Sequence, residues 1–271
     1  MNKFAIVQMC SCASVGINLI SARRKIMEAA NAEAKVVILP DHFALLSKQD
    51  SDYDINKEVL GEGRIQNFIQ KCAFENRIWI IASGIPLVSE YTDDKYYLAT
   101  VVYNDEGHLV EVYYQLKSIK PNGYHDVFNG FDHIEYGQHA KVVETPYGNI
   151  GLTSSNDLYS PEIFRYLKQQ GADIFAFCGV INADIGAVAW WPILRTRAIE
   201  NQTIVLAANQ CGYHEDTALL SFGHSAAITA NGQTIVYQEL GEKVLIMDID
   251  PSTFSHINFT TMTFQLQYRR R

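Results

Sequence analysis

Residues 150–177 of the chain read IGLTSSNDLYSPEIFRYLKQQGADIFAF. The apolar run at 150–154 predicts a buried strand. Pro161 stands where a helix would begin, because proline fits the first helical turn, in which the backbone amide has no partner. The helical pattern continues to Gly171, and residues 173–177 predict a second strand. This order of strand, helix and strand indicates an α/β architecture.

The same alternation extends over the rest of the chain. Further strands are predicted at 3–9, 35–39, 79–83, 141–144, 203–208, 226–229, 234–237 and 243–248, and helices at 18–34, 65–76 and 190–200. Residues 96–103 and 110–119 predict a hairpin, so the sheets should be mixed. The interior has no linker-like run of Pro, Gly or Ser. We therefore expect one domain over 1–271, with 251–271 as a C-terminal extension.

Composition excludes several classes of function. The 271 residues carry a net charge of −8, which argues against nucleic-acid binding by phosphate neutralisation. No stretch approaches the roughly 20 apolar residues of a membrane helix, and no targeting segment is visible. The five cysteines lack metal-site spacing, so they predict reduced thiols in a cytoplasmic protein.

Short motifs then follow one another in a specific order. They are Val7-Gln8-Met9, Leu39-Pro40-Asp41, Gly107 with Tyr113, Gly151 with Ser154-Ser155-Asn156-Asp157, Pro161-Glu162, Gly171-Ala172-Asp173, Arg197-Ala198-Ile199-Glu200-Asn201, Ala208-Asn209-Gln210-Cys211-Gly212 and Gly223-His224-Ser225. In this order the chain resembles the nitrilase, or carbon–nitrogen hydrolase, superfamily over residues 3–250. The resemblance implies a four-layer αββα sandwich with mixed sheets and a homodimer or higher homo-oligomer. It also implies cleavage of a small amide, nitrile or carbamoyl compound without a metal or organic cofactor.

The family's catalytic Glu, Lys and Cys are replaced in this chain. Matching the motifs residue by residue puts Asp41 at the Glu position, Gln115 at the Lys position and Ser155 at the Cys position. In the family the thiolate attacks the carbon, the carboxylate moves the proton, and the ammonium stabilises the oxyanion.

Each replacement weakens one of these roles. Asp41 has one methylene less than Glu, about 1.5 Å of reach. Gln115 can donate a hydrogen bond to an oxyanion but carries no charge. The hydroxyl of Ser155 is far harder to ionise than a thiol, whose reference pKa is about 8.5.

Several substitutes remain open at this point. Lys117 is two residues beyond Gln115 on the same strand face and is a possible replacement cation. The family's second Glu falls on Asp132 or Glu135. A histidine from the set His42, His125, His133 and His224 would be needed to activate Ser155 in the manner of serine enzymes. Cys178 and Cys211 are candidate displaced nucleophiles.

The sequence thus supports two functional hypotheses. The first is an impaired or inactive family member that keeps a small-molecule pocket, because three cooperating groups are changed. The second is an active hydrolase with Ser155 as nucleophile and Asp41 as base. An introduced Cys→Ser replacement would account for Ser155 but not for Asp41 or Gln115.

Overall fold

The computed structural model describes residues 1–116 and 133–253. Its helices are α1 (Val15–Asn31), α2 (Asp50–Asn56), α3 (Arg64–Asn76), α4 (Pro161–Gln169) and α5 (Ala183–Asn201). Its strands are β1 (Asn2–Gln8), β2 (Val36–Ile38), β3 (Trp79–Val88), β4 (Tyr96–Tyr103), β5 (Leu109–Tyr114), β6 (Ile134–Glu135), β7 (Lys141–Thr145), β8 (Gly148–Ser154), β9 (Ile174–Gly179), β10 (Ile204–Asn209), β11 (Cys211–His214), β12 (Leu219–Phe222), β13 (Ser225–Ile228), β14 (Thr234–Gln238) and β15 (Lys243–Ile249). Short 3-10 helices cover Ser155–Tyr159 and Pro251–Thr253. Among these residues, no helix combines the length and apolarity that crossing a bilayer requires.

The first sheet has the strand order β15-β1-β2-β3-β4-β5, with β6 paired to β4. Strands β1, β2 and β3 are parallel neighbours, whereas β15, β4 and β5 join in antiparallel pairs. Parallel neighbours need crossover connections, which α1 supplies between β1 and β2 and the α2–α3 segment supplies between β2 and β3. The carboxyl ends of the parallel strands therefore meet at one edge.

The second sheet has the order β14-β13-β10-β9-β8-β7. Its three central strands, β8, β9 and β10, are parallel and are connected by α4 and α5. Strands β11 and β12 form a separate antiparallel pair. Both large sheets are thus mixed, as the sequence predicted.

Three buried clusters separate four layers. Val37 on β2 packs with Ile26 of α1 on the outer face of the first sheet. The next residue, Ile38, faces the other way and packs with Ala176 of the second sheet, because successive strand residues alternate between faces. The outer face of the second sheet packs against α4 and α5. The order is helices, sheet, sheet, helices, which confirms the predicted αββα sandwich.

The largest differences from the sequence-based elements concern helices. Helix α2 was not predicted, because its sequence DSDYDIN has one buried side chain, Tyr53, and so no apolar period. Helix α5 was predicted from residue 190 but begins at Ala183, where the Asn182 side chain caps it by accepting from the Asp184 amide. Pro192 lies inside this helix.

Candidate active site

Asp41 lies in a tight bend directly beyond β2. His42 adopts φ 57°, in the left-handed region, and Gly84 of β3 has φ +78° beneath it. A Cβ at Gly84 would lie 2.1 Å from the His42 backbone nitrogen and 2.8 Å from Asp41 Oδ1. Glycine therefore lets β3 pass close under the bend. The bend holds the Asp41 side chain at 2% exposure.

Ser155 lies at the end of β8, at the turn into the 3-10 helix. Its φ of 44° is unusual for a non-glycine residue and costs about 1–2 kcal/mol. A capping box holds the turn: the Ser154 side chain accepts from the Asp157 amide, and Asp157 Oδ2 accepts from the Ser154 amide at 2.9 Å. The hydroxyl of Tyr113 also donates to Asp157 Oδ2. This turn presents Ser155 at 8% exposure.

Asp41 and Ser155 meet although they come from different sheets. The Ser155 hydroxyl donates to Oδ2 of Asp41. Oδ1 of Asp41 accepts from Ser83 Oγ at 2.8 Å, and Ser83 Oγ accepts from Thr100 Oγ1 at 2.8 Å. Nε2 of His42 lies 3.6 Å from Asp41 Oδ2. The carboxylate is therefore surrounded by side-chain polar groups in a buried site.

Gln115 continues the edge strand beyond β5. Its amide donates to the Leu98 carbonyl, and its carbonyl accepts from the Gly137 amide, both at 2.9 Å. Strand alternation puts its side chain on the same face as that of Tyr113. Burial, followed by the charges of Asp157 and Asp41, raises the pKa of Tyr113 far above its usual value, so this face lies within electrostatic range of Asp41. In the described part of the chain, the Gln115 side chain makes no hydrogen bond to Asp41 or Ser155.

Gln210 supports the bend from behind, a role that the sequence analysis missed. Its Nε2 donates to the Asp41 carbonyl and to Ser11 Oγ, both at 2.9 Å. Ser11 Oγ in turn donates to the Phe43 carbonyl at 3.0 Å. The available signal was the motif Ala208-Asn209-Gln210-Cys211-Gly212, which places a polar side chain directly after β10.

The two candidate displaced cysteines are poor nucleophiles. Cys178 is buried on β9, in register with Ser154. Burial, together with the nearby Asp41 charge, raises the pKa of its thiol far above the usual value. Burial also raises the pKa of Cys211 to about 12. Since the thiolate is the reactive form, the raised pKa argues against either thiol as a nucleophile.

The remaining sequence candidates divide into three groups. Among the histidines, His42 lies next to Asp41. The other two described candidates have different neighbours: His133 Nδ1 lies 2.6 Å from Asp50 Oδ2, and His224 Nδ1 lies 2.7 Å from the Phe222 carbonyl oxygen. Glu135 accepts a hydrogen bond from Ser89. Lys117, His125 and Asp132 lie outside the described residues. Across 1–116 and 133–253, no cluster of three or more His, Cys, Asp or Glu side chains could hold a metal ion.

Curated relatives of the chain include amidases. It is 29% identical to the deaminated glutathione amidase of Yersinia enterocolitica over 233 residues, which cover 85% of this chain and 80% of the relative. It is 28% identical to the deaminated glutathione amidase of Synechocystis over 275 residues, covering 93% of each.

Two solved structures share the fold. The Nit3 protein of Saccharomyces cerevisiae, a member of branch 10 of the nitrilase superfamily, matches with a TM-score of 0.81 and 23% identity, covering 93% of this chain and 91% of that one. The C. elegans NitFhit protein matches with a TM-score of 0.83 and 22% identity, and the match covers 93% of this chain but 61% of NitFhit. The family model for carbon-nitrogen hydrolases matches residues 3–258. The chain therefore belongs to the carbon–nitrogen hydrolase family.

Proposed function

We propose that this protein is an impaired carbon–nitrogen hydrolase that retains a binding site for a small amide. The contact between Ser155 and Asp41 carries the proposal, because it shows two of the three substituted positions meeting in one buried place. The positions that in the family supply a thiolate and an ammonium are here a hydroxyl and the neutral amide of Gln115.

Two chemical reasons support slow turnover. Serine enzymes pass the hydroxyl proton to an imidazole, but the Ser155 proton points at a carboxylate that already accepts from Ser83. Replacing the cationic oxyanion donor by a neutral one also weakens transition-state stabilisation, and loss of one such donor costs about 10²–10³ in kcat. These groups act as a unit in the family, so their losses are not independent.

The ligand class is proposed from the relatives. Two amidases named for deaminated glutathione cover most of this chain, so an amide of that kind is the first compound to test. The Ser155 hydroxyl and the Gln115 amide can each hydrogen-bond a ligand carbonyl without attacking it.

A second candidate is an active hydrolase with Ser155 as nucleophile and Asp41 as base. The same hydrogen bond favours it, because a nucleophile and its base must lie within hydrogen-bond reach. The proposed impairment and this alternative differ in whether an acyl group accumulates on Ser155.

The deciding experiment combines binding with turnover. Calorimetry with deaminated glutathione and a series of short amides should show binding, while turnover, followed as the amine released from deaminated glutathione or the ammonia released from primary amides, should be far below that of a relative such as the Yersinia enzyme. Ser155→Ala should change the residual rate little. Robust turnover that Ser155→Ala abolishes, with an acyl adduct on Ser155 by mass spectrometry, would establish the second candidate instead.

We further propose that the protein forms a homodimer through the outer face of α5. Val188 is 77% exposed there, and Trp191 packs edge-on against the exposed Tyr237 ring at 5.6 Å, so an apolar surface is open to a second copy. Light scattering should give about twice the 30.6 kDa chain mass, and Val188→Asp should reduce it. A monomer in the unmodified protein would contradict the proposal.

The five free thiols support a reducing, cytoplasmic location.

A further inference from the structure

We infer that His214 is a positioning residue for Asp41: its Nδ1 proton holds Ser11, and Gln210 joins Ser11 to the bend. The inference rests on the proposed function in one respect, namely that Asp41 is the carboxylate of the retained site. The hydrogen bonds themselves can be measured without any ligand.

The bend at Asp41 is held by two of its carbonyl groups. Gln210 Nε2 donates to the Asp41 carbonyl at 2.9 Å, and Ser11 Oγ donates to the Phe43 carbonyl at 3.0 Å. These carbonyls lie on either side of His42, whose φ of 57° is in the left-handed region. A non-glycine residue keeps such a conformation where its surroundings impose it. The two hydrogen bonds contribute that constraint, because each fixes a peptide group next to the strained residue.

Ser11 and Gln210 are joined by a reciprocal pair of hydrogen bonds. The Ser11 amide donates to Gln210 Oε1 at 3.0 Å, and Gln210 Nε2 donates to Ser11 Oγ at 2.9 Å. Both side chains are buried. The two protons of the Gln210 carboxamide are thus directed to Ser11 and to Asp41. A displacement of Ser11 is therefore transmitted to the Asp41 carbonyl through one planar amide group.

His214 holds the other end of the Ser11 peptide. Ser11 follows β1 in a segment without regular secondary structure, so side chains must fix its backbone groups. Nδ1 of His214, at the end of β11, lies 2.7 Å from the Ser11 carbonyl oxygen. A carbonyl oxygen can only accept, so this contact requires a proton on Nδ1, whether the ring is neutral or charged. The Cys10 sulfur, 4.0 Å from the same nitrogen, is a weaker and more distant partner.

The second ring nitrogen of His214 contacts the neighbouring strand. Nε2 lies 2.9 Å from Ser221 Oγ on β12. Burial, which outweighs the hydrogen bond to Ser11, lowers the pKa of His214 below its usual value and favours the neutral ring. With its proton on Nδ1, the neutral ring accepts from the Ser221 hydroxyl at Nε2. Ser221 thus orients the imidazole, and the imidazole orients Ser11.

This arrangement makes the β11–β12 hairpin part of the support of the site. Without the Nδ1 donor, the buried Ser11 carbonyl loses this partner, which is costly enough for the Ser11 peptide to move. Gln210 would then pass the movement to the Asp41 carbonyl. Because a misplacement of about 1 Å can cost about 100-fold in a catalytic site, a ligand held by Asp41 should also bind less tightly.

The first test is histidine-selective ¹⁵N NMR of the unmodified, ligand-free chain at pH 7, with His214→Asn to assign the signal. We expect the Nδ1 nitrogen of His214 to be protonated. A ring whose only proton is on Nε2 would overturn the inference, because it could not donate to Ser11.

The second test follows the exchange of the Gln210 side-chain amide protons with water, assigned by their loss in Gln210→Met. In His214→Gln the new amide can reach Ser221 but leaves the Ser11 carbonyl without this donor, so exchange should be about 10-fold faster or more. In His214→Asn the amide nitrogen is attached to Cγ, as Nδ1 of histidine is, and can donate to Ser11. Exchange should then stay within about threefold of the unmodified chain.

The backbone amide of Trp79 separates local from global loosening, because it donates to the Lys35 carbonyl at the far end of the first sheet. Equal acceleration at Trp79 and Gln210 would contradict a positioning role, and so would equal exchange in the two His214 variants. Calorimetry should show weaker amide binding in His214→Gln than in His214→Asn. If the unmodified chain binds no amide, the proposed function fails, while the exchange result still decides the role of His214.

Discussion

The Ser155 hydroxyl donates a hydrogen bond to Asp41 across 114 residues of sequence and from one sheet to the other. The backbone turn that presents Ser155 and the glycine-lined bend that presents Asp41 are both strained, with φ values of 44° for Ser155 and 57° for His42. Strain of this kind persists only where surrounding structure imposes it. The surrounding structure therefore imposes the contact between Asp41 and Ser155.

Restoring the family's side chains should restore amide hydrolysis. The triple variant Asp41→Glu, Gln115→Lys, Ser155→Cys should release ammonia from a short amide at least about 100-fold faster than Ser155→Cys alone, because the latter lacks the cationic oxyanion donor. The double variant Asp41→Glu, Gln115→Lys is the control without a thiol and should remain slow. A folded triple variant with no activity would show that the walls of the pocket have changed as well.

Removing the hydroxyl of Ser83 should destabilise the protein. Ser83→Ala deprives Asp41 Oδ1 of a donor and leaves the buried Thr100 hydroxyl without its acceptor, so we expect a loss of about 1–3 kcal/mol in the free energy of unfolding. Urea denaturation measures it. Ser51→Ala, at an exposed position, should stay within about 0.5 kcal/mol. Equal effects of the two substitutions would argue against a structural role for this chain of hydroxyls.

Gly84→Ala should disrupt the bend at Asp41. The new Cβ would lie 2.1 Å from the His42 backbone nitrogen. Only a movement of the backbone can relieve this clash. Gly241→Ala is the matched control: its φ of +75° is similar, but nothing lies within 4 Å of its Cβ. We expect the control to lose about 1–2 kcal/mol, from the left-handed conformation, and Gly84→Ala to lose clearly more and to bind amide ligands less tightly. Indistinguishable urea midpoints would contradict the close approach.

The ionisation of Asp50 should make the free energy of unfolding depend on pH in the acidic range. Burial favours its protonated form, but hydrogen bonds from Tyr96 and His133 outweigh burial and lower its pKa below the ordinary 3.8. Because the folded state holds the carboxylate more strongly, the contribution of Asp50 is present above pH 4 and is lost as the pH falls through its folded pKa.

Asp50→Asn should therefore be less stable than the unmodified chain at pH 7, with the difference shrinking below about pH 4. Urea denaturation at both pH values checks this. The exposed Asp93→Asn serves as a control and should show little difference at either pH. A constant difference for Asp50→Asn across the range would show that its charge is not responsible.

Much of this architecture was predictable because local and global signals agree. The apolar runs around Val37 and Ala176 are long enough to predict strands, and the motif order supplied the layers. Helix α2 was not predictable, since Tyr53 is its one buried side chain and its neighbours are polar. Its position depends on long-range contacts, including the one between Tyr53 and His42.

The sequence predicted that Asp41 and Ser155 would lie together, but not which residues surround them. The motifs indicated Asp41 and Ser155, and these residues meet. The sequence offered four histidines without ranking them, because the proximity of His42 to Asp41 Oδ2 depends on a left-handed backbone angle that no residue pattern signals. Gln210 was missed for a similar reason: its contact with the Asp41 carbonyl spans 169 residues.

Because Asp41 and Ser155 belong to different sheets, ligand binding at this site is coupled to the stability of the whole fold. A ligand that contacts both residues would bridge the two sheets and oppose their separation. It would therefore bind the folded chain in preference to the unfolded one. Free ligand at 100 times its Kd then adds about 2.7 kcal/mol of stability. A rise in melting temperature across a chemical library is consequently a sensitive way to find what this protein recognises, whether or not any bond is broken.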